Sequence, residues 1–178
     1  MSRAAAALLA AGLAVRLAYG VVAPPGGRGG PMPDPDGYAG LAASFARDGS
    51  LSDAQGNPSA LREPGYPLAL GAVFKVTGPG YPGVLALNLA LGAAVLFLLW
   101  RLGERWFGPP VGLTALALGA FYPPFLFHGA QPMRETALAA FSLGVVAAVS
   151  RAAELGTARA WALAALVTVA AALTNTTF

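Results

Sequence analysis

Five of the eight carboxylates in this 178-residue chain, Asp34, Asp36, Asp48, Asp53 and Glu63, fall between Pro24 and Gly65. A carboxylate held within hydrogen-bond reach of a hydroxyl can take its proton while the oxygen attacks, so a general base belongs among them. Asp34 is flanked by Pro31, Pro33 and Pro35, which keep the backbone extended and limit where its side chain points. Asp36 lies two residues before Tyr38, where capping a helix explains it fully. Both also fit as solvated loop acids. Glu63 stands in Arg62-Glu-Pro-Gly-Tyr-Pro67, close to two prolines that stiffen the backbone. Arg62 and Arg134 suit a phosphate: a planar guanidinium matches its oxygens and stabilises charge that grows in a transition state. An interfacial arginine resting on lipid headgroups serves as well.

Three further ionisable residues lie outside this segment. Arg16 sits inside an apolar stretch, where it either snorkels outward or pairs with a loop carboxylate, and where a charge is a functional candidate by default. Glu135 opens another apolar stretch, a position that favours a helix N-terminal dipole. His128 is the single histidine, and with no cysteine present a zinc site is not expected.

The elements that must position these side chains are membrane helices. With 56% hydrophobic residues, 11% charged and a mean hydropathy of +0.61, the chain lacks the charge to cover itself with a solvated surface. The expected fold is all-α, a polytopic integral membrane protein with about five spans. These are Ala4 to Ala23, Val84 to Trp100, Pro110 to Phe127, Ala137 to Val149 and Ala160 to Leu173. Tyr66 to Val76 is too short to cross, so it reads as a juxtamembrane helix. Asp36 to Gly49 reads as a short amphipathic helix with Tyr38, Leu41 and Phe45 on one face, Asp36 as N-cap and Gly49 as stop. Gly49 to Ser59, rich in Gly, Ser, Asp, Asn and Pro, reads as an irregular, mobile stretch.

Orientation follows from the short connections. Arg101 with Arg105, and Arg151 with Arg159, occupy short loops to which the positive-inside rule applies, and Arg3 joins them. Arg28, Arg47, Arg62, Lys75 and Arg134 then lie on the other side. The N-terminus is expected to be cytoplasmic and the acidic loop extracytoplasmic. High Ala, Gly and Arg usage with little Lys suits a GC-rich bacterial gene, hence a plasma (inner) membrane. The eleven basic residues form no cluster that could follow a nucleic-acid backbone.

Several short motifs in order carry a resemblance. Asp34-Pro-Asp-Gly-Tyr38 with Leu41-Ala42, then Arg62-Glu-Pro-Gly-Tyr-Pro67, Arg101-Leu-Gly-Glu-Arg-Trp-Phe-Gly108, Phe121-Tyr-Pro-Pro124 and Glu135-Thr136 follow one another along nearly the whole chain. In this it resembles the amino-terminal part of the polytopic C-superfamily glycosyltransferases. It is most similar to the family 39 branch of protein mannosyltransferases and aminoarabinose transferases. The resemblance implies transfer of a sugar from a polyprenyl-phosphate donor to an acceptor hydroxyl at the outer membrane face. It favours Asp34 over Asp36 as the base, because family members carry an Asp four residues before the helix aromatic. It places Glu63 near that Asp, where the two would hold a divalent metal ion or Glu63 would orient the acceptor. Arg62, Arg134 and Arg16 become the residues for the donor phosphate. Family members run several hundred residues longer, so a fragment or truncated enzyme is expected.

Other patterns carry nothing. Gly78-Pro-Gly-Tyr-Pro-Gly83 satisfies the dinucleotide-binding expression, but its two prolines and the lack of a strand-helix unit exclude a phosphate-cradling turn. Asn175-Thr-Thr177 is a formal glycosylation sequon of little meaning in a bacterial chain. The competing class is a non-enzymatic membrane protein or transporter subunit, with Arg16, Glu63 and Glu135 in helix packing or a translocation path. A transporter concentrates polar residues near the midplane of its spans, whereas most acids here lie in one loop.

Overall fold

The computed structural model describes residues 1–27 and 30–175, so Arg28 and the threonines of the sequon lie outside the described residues. Among the described residues eight helices follow one another: α1 Arg3–Val22, α2 Tyr38–Asp48, α3 Gly65–Thr77, α4 Tyr81–Phe107, α5 Pro109–Phe121, α6 Pro123–Gly129, α7 Glu135–Leu155 and α8 Ala158–Thr174. The described residues are all-helical apart from loops and one isolated bridge between Ser52 and Pro58.

The local sequence explains the boundaries. The Ser2 hydroxyl accepts from the Ala5 N–H at 3.1 Å and caps α1. Prolines stand in the first turns of α4, α5 and α6, where a missing N–H costs nothing. At 27 residues α4 runs about 40 Å, longer than the hydrocarbon, so its polar end with Arg101, Glu104 and Arg105 can project beyond it.

With α5 and α6 taken together, α1, α4, α5–α6, α7 and α8 alternate in direction, so α4 and α7 run parallel. At the loop face the Tyr81 hydroxyl donates to the Gly20 carbonyl at 2.9 Å, tying the end of α1 to the start of α4. At the opposite face Arg105 of α4 pairs with Glu154 of α7. Ala5, Leu96, Trp100, Leu116 and Ala120 form the core where α1, α4 and α5 meet. A second core of Tyr38, Ala39, Ala42, Tyr66, Leu70, Phe74, Val84 and Ala137 joins α2 and α3 to α4 and α7. The shallow pair α2–α3 therefore lies across one end of the bundle, anchored by two aromatic rings.

Three helices, α1, α4 and α7, are long and apolar enough to cross a membrane, or four if α5 and α6 are one bent span. Two of the five expected spans are less plain. The anticipated third span is not continuous: α5 and α6 meet at 54°. Tyr122 between them is extended (φ −69°, ψ 115°), as expected of a residue before proline. The anticipated fifth span, α8, has 17 residues and falls short of a full crossing length. Its far end nevertheless reaches the loop face, since a Cβ on Gly65 would sit 2.7 Å from both the Leu173 carbonyl and the Thr174 hydroxyl. The juxtamembrane helix is present as α3, one residue longer at each end than the apolar run suggested.

The stretch after α2 is more ordered than its composition suggested. Asp53 N–H donates to the Asn57 carbonyl at 2.9 Å and Ser59 N–H to the Leu51 carbonyl at 2.9 Å, making a small hairpin. The Asp53 carboxylate organises its tip by accepting the N–H groups of Gln55 and Asn57. Turn-forming residues here close on one another by hydrogen bonds, while Ala54 to Pro58 stay exposed to water.

Candidate functional site

The start of α2 determines where the two loop aspartates go. Gly37 stands at the helix entry with φ +77°, a left-handed conformation that glycine adopts without strain, and its N–H donates to the Asp34 carbonyl at 3.1 Å. That tight turn brings the Asp34 side chain back over the helix, where Oδ2 accepts the Gly40 N–H at 2.8 Å. Asp34, not Asp36, therefore caps α2, which corrects the sequence expectation. The turn at Gly37 swings Asp36 away from the helix mouth. Its Oδ1 instead pairs with Arg62 Nη2 at 2.8 Å, and its backbone carbonyl accepts from Arg62 Nε at 2.8 Å.

The other Asp34 oxygen is the anomaly. Oδ1 is shielded from solvent and has no hydrogen-bond partner, and the same holds for Glu135 Oε2 at the start of α7. Shielded carboxylate oxygens ordinarily find a donor, so each such exception marks a place where something has been left unpaired.

Around Asp34 the segment before α3 and the start of α7 come together. Glu63 pairs with Arg134, joining residues 71 positions apart. Arg62 stacks its guanidinium 5.7 Å from the Tyr38 ring centroid, and Tyr38 meets Tyr66 edge to face at 5.5 Å. The Tyr66 hydroxyl donates to Asn88 Oδ1 at 3.2 Å, and Asn88 Nδ2 donates to the Gln131 carbonyl at 2.7 Å. Asn88 was not singled out in the sequence. Its signal was there, an amide within an otherwise apolar span, a residue type that binds membrane helices to their neighbours by hydrogen bonds.

The electrostatics follow this packing. Burial pushes the Tyr66 phenol up, and the nearby charges of Glu135 and Asp34 act in the same direction against the hydrogen bond with Asn88. Tyr38 is also raised, first by burial and then by Glu63 and Asp36, with Arg134 and Arg62 opposing. Burial lowers Arg134, but the hydrogen bond and charge of Glu63 outweigh it and hold the guanidinium more firmly protonated. Both tyrosines therefore stay neutral; they wall the site, and Tyr66 also donates to Asn88.

A cleft of about 860 Å³ opens between α2 and the hairpin. Asp34, Asp36 and Arg62 stand on its wall, with Ser44, Arg47 and Asp53 further along. Two of its charged groups are committed nearby: Arg62 to Asp36 and Arg47 to Asp48, at 2.8 and 2.9 Å. Hydrogen bonds from Ser50, with help from Arg47, hold the Asp48 carboxyl down at about 2.

Of the residues expected to act together, the fold brings Asp34, Asp36, Glu63, Arg62 and Arg134 to one end of the bundle. Both arginines meant for a phosphate are already engaged by carboxylates. Arg16 is elsewhere. It neither snorkels outward nor pairs with a loop acid; only 5% exposed, it donates to the carbonyls of Gly12, Gly119 and Ala120. This overturns its assignment to the loop, and the cause lies in α5, as described below. His128 falls in α6, with its Nδ1 shielded and without a partner.

A divalent ion between Asp34 and Glu63 would have to compete with the contacts these side chains already make. Among the described residues no three His, Cys, Asp or Glu side chains gather to hold one. Glu63 is paired with Arg134, and Asp34 has one oxygen on the helix cap. No family model, curated protein or solved structure matches this chain.

Proposed function

We propose that the chain carries the site of a membrane glycosyltransferase, moving a sugar from a polyprenyl-phosphate donor to a hydroxyl, with Asp34 as the base. One observation carries this reading: Asp34 lines the cleft, yet only one of its oxygens is used by the fold. A carboxylate oriented through one oxygen and unsolvated at the other is a poised proton acceptor. In the reaction the acceptor O–H proton passes to Asp34 Oδ1 as the oxygen bonds to the anomeric carbon. The bond from that carbon to the phosphate oxygen breaks, and polyprenyl phosphate leaves with the electron pair. Arg62 and Arg134, neighbours of the same site, would release Asp36 and Glu63 in part to meet the phosphate. The Tyr38–Tyr66 wall and the Asn88 bond hold the floor against which the base is set.

The membrane placement in this reading has the N-terminus in the cytoplasm of a bacterial plasma membrane, the cleft outside, and α8 as a fifth, short span. The short basic connections support the orientation, and the position of the α8 end beside Gly65 supports the span. The competing transporter reading leans on Arg16, Glu63 and Glu135. Arg16 is held by backbone carbonyls and Glu63 by Arg134, which favours packing over a path.

Membranes from cells expressing the chain should transfer label from a polyprenyl-phosphate sugar to an acceptor, and Asp34→Asn should abolish the transfer. Transfer from a nucleotide sugar with no lipid present would refute the donor class.

A further inference from the structure

Arg16 poses a separate problem, because a guanidinium within a span normally finds an acid or water. Here no acid pairs with it among the described residues: its partners are the carbonyl oxygens of Gly12 (3.1 Å), Ala120 (3.0 Å) and Gly119 (2.8 Å). The last two are not arbitrary. In a continuous helix the Gly119 carbonyl would accept from the N–H of residue 123, and the Ala120 carbonyl from that of residue 124. Both positions are proline, which has no N–H. The two carbonyls orphaned by Pro123 and Pro124 are the two that Arg16 occupies, one on each terminal nitrogen.

The neighbouring helices are built around this contact. A Cβ on Gly92 of α4 would lie 3.2 Å from Arg16 Cδ and 3.3 Å from its Nε, so glycine there leaves room for the side chain. A Cβ on Gly12 would lie 2.9 Å from that of Ala120, which lets α1 approach α5 closely enough for the fork to reach. Unpaired carbonyls in hydrocarbon are costly, and broken spans persist where another group satisfies them.

We propose that Arg16 is a surrogate backbone donor: its forked guanidinium replaces the amide hydrogens that Pro123 and Pro124 lack, and so locks the bend between α5 and α6. The bend directs α6 toward Gln131 and Arg134, whose contacts with Asn88 and Glu63 close the site. This makes Arg16 a positioning residue. The inference does not depend on any catalytic reading, since its role is defined by donors and carbonyls alone.

The test compares donor loss with donor restoration in the detergent-purified chain, reading the monodisperse folded fraction and its thermal midpoint. Arg16→Met should lower the folded fraction roughly tenfold or more, as expected when two shielded carbonyls are left unpaired. Arg16→Gln, which keeps two amide hydrogens but no charge, should retain clearly more folded protein than Arg16→Met. Adding Pro123→Ala and Pro124→Ala to Arg16→Met returns the missing amides and should recover most of the loss. If Arg16→Met is harmless, or costs the same with and without the prolines, the proposal fails. Should the alanine pair not fold by itself, the Gln and Met variants decide alone: equal damage in both would mean that the charge, not the donation, is what the fold uses.

Discussion

At the scale of single residues, the two loop aspartates divide labour in a way that substitution can separate. Asp34→Asn keeps an oxygen to accept the Gly40 N–H, so α2 should remain capped while the base is lost. Transfer should fall by about a hundredfold or more with the thermal midpoint nearly unchanged. Asp36→Asn acts on a different bond. It weakens the partly exposed pair with Arg62, for which about 0.5–1 kcal/mol of stability is expected, while the backbone carbonyl of residue 36 still accepts from Arg62 Nε. Turnover should then fall far less than in Asp34→Asn. Normal turnover in Asp34→Asn alongside loss in Asp36→Asn would move the base by two residues.

At the scale of elements, the site depends on how closely α2 lies on α3. A Cβ on Gly71 would sit 2.7 Å from the Phe45 ring and 2.9 Å from the Ala42 carbonyl, and a carbonyl in a helix cannot move aside. Gly71→Val should therefore push the two helices apart at a cost of about 1–3 kcal/mol. Trypsin cleavage after the exposed Arg47 should quicken accordingly. Gly129→Ala is the control, because nothing lies within 4 Å of the added carbon. Equal cleavage rates in the two variants would show that the contact does not hold α2 in place. The same close approach puts Tyr38 against Tyr66, so the substitution should also disturb the wall beside Asp34.

At the scale of the molecule, the alternating helices put the acidic loop at one end of the bundle and the Arg101, Arg105 and Arg151 connections at the other. The basic short loops predict that the latter end is cytoplasmic. A cysteine replacing Ser50 in the loop should react with a membrane-impermeant maleimide on intact cells. Reaction only after lysis would reverse the orientation and remove the basis for a lipid-linked donor outside.

Hydropathy and composition by themselves indicated an all-helical chain with several apolar helices and the polar insert between the first two long ones, but not how many of those helices are long and unbroken enough to cross a membrane. Those properties are additive along the chain: each apolar residue contributes its own transfer free energy, and twenty together make a span. The pre-proline rule likewise makes the break at Tyr122 readable in retrospect from Tyr122-Pro123-Pro124 alone. What only the tertiary structure decided are the partners. The Gly37 turn moved the helix cap from Asp36 to Asp34 and left Asp36 to Arg62, a matter of one backbone angle that composition does not encode. Glu63 met Arg134 across 71 positions, and Tyr66 met Asn88 across 22. Arg16 turned inward to carbonyls 103 and 104 positions away. Charge and polarity limit which groups can be buried unpaired, but which partner satisfies each of them depends on which helices touch, and that is a property of the packed bundle alone.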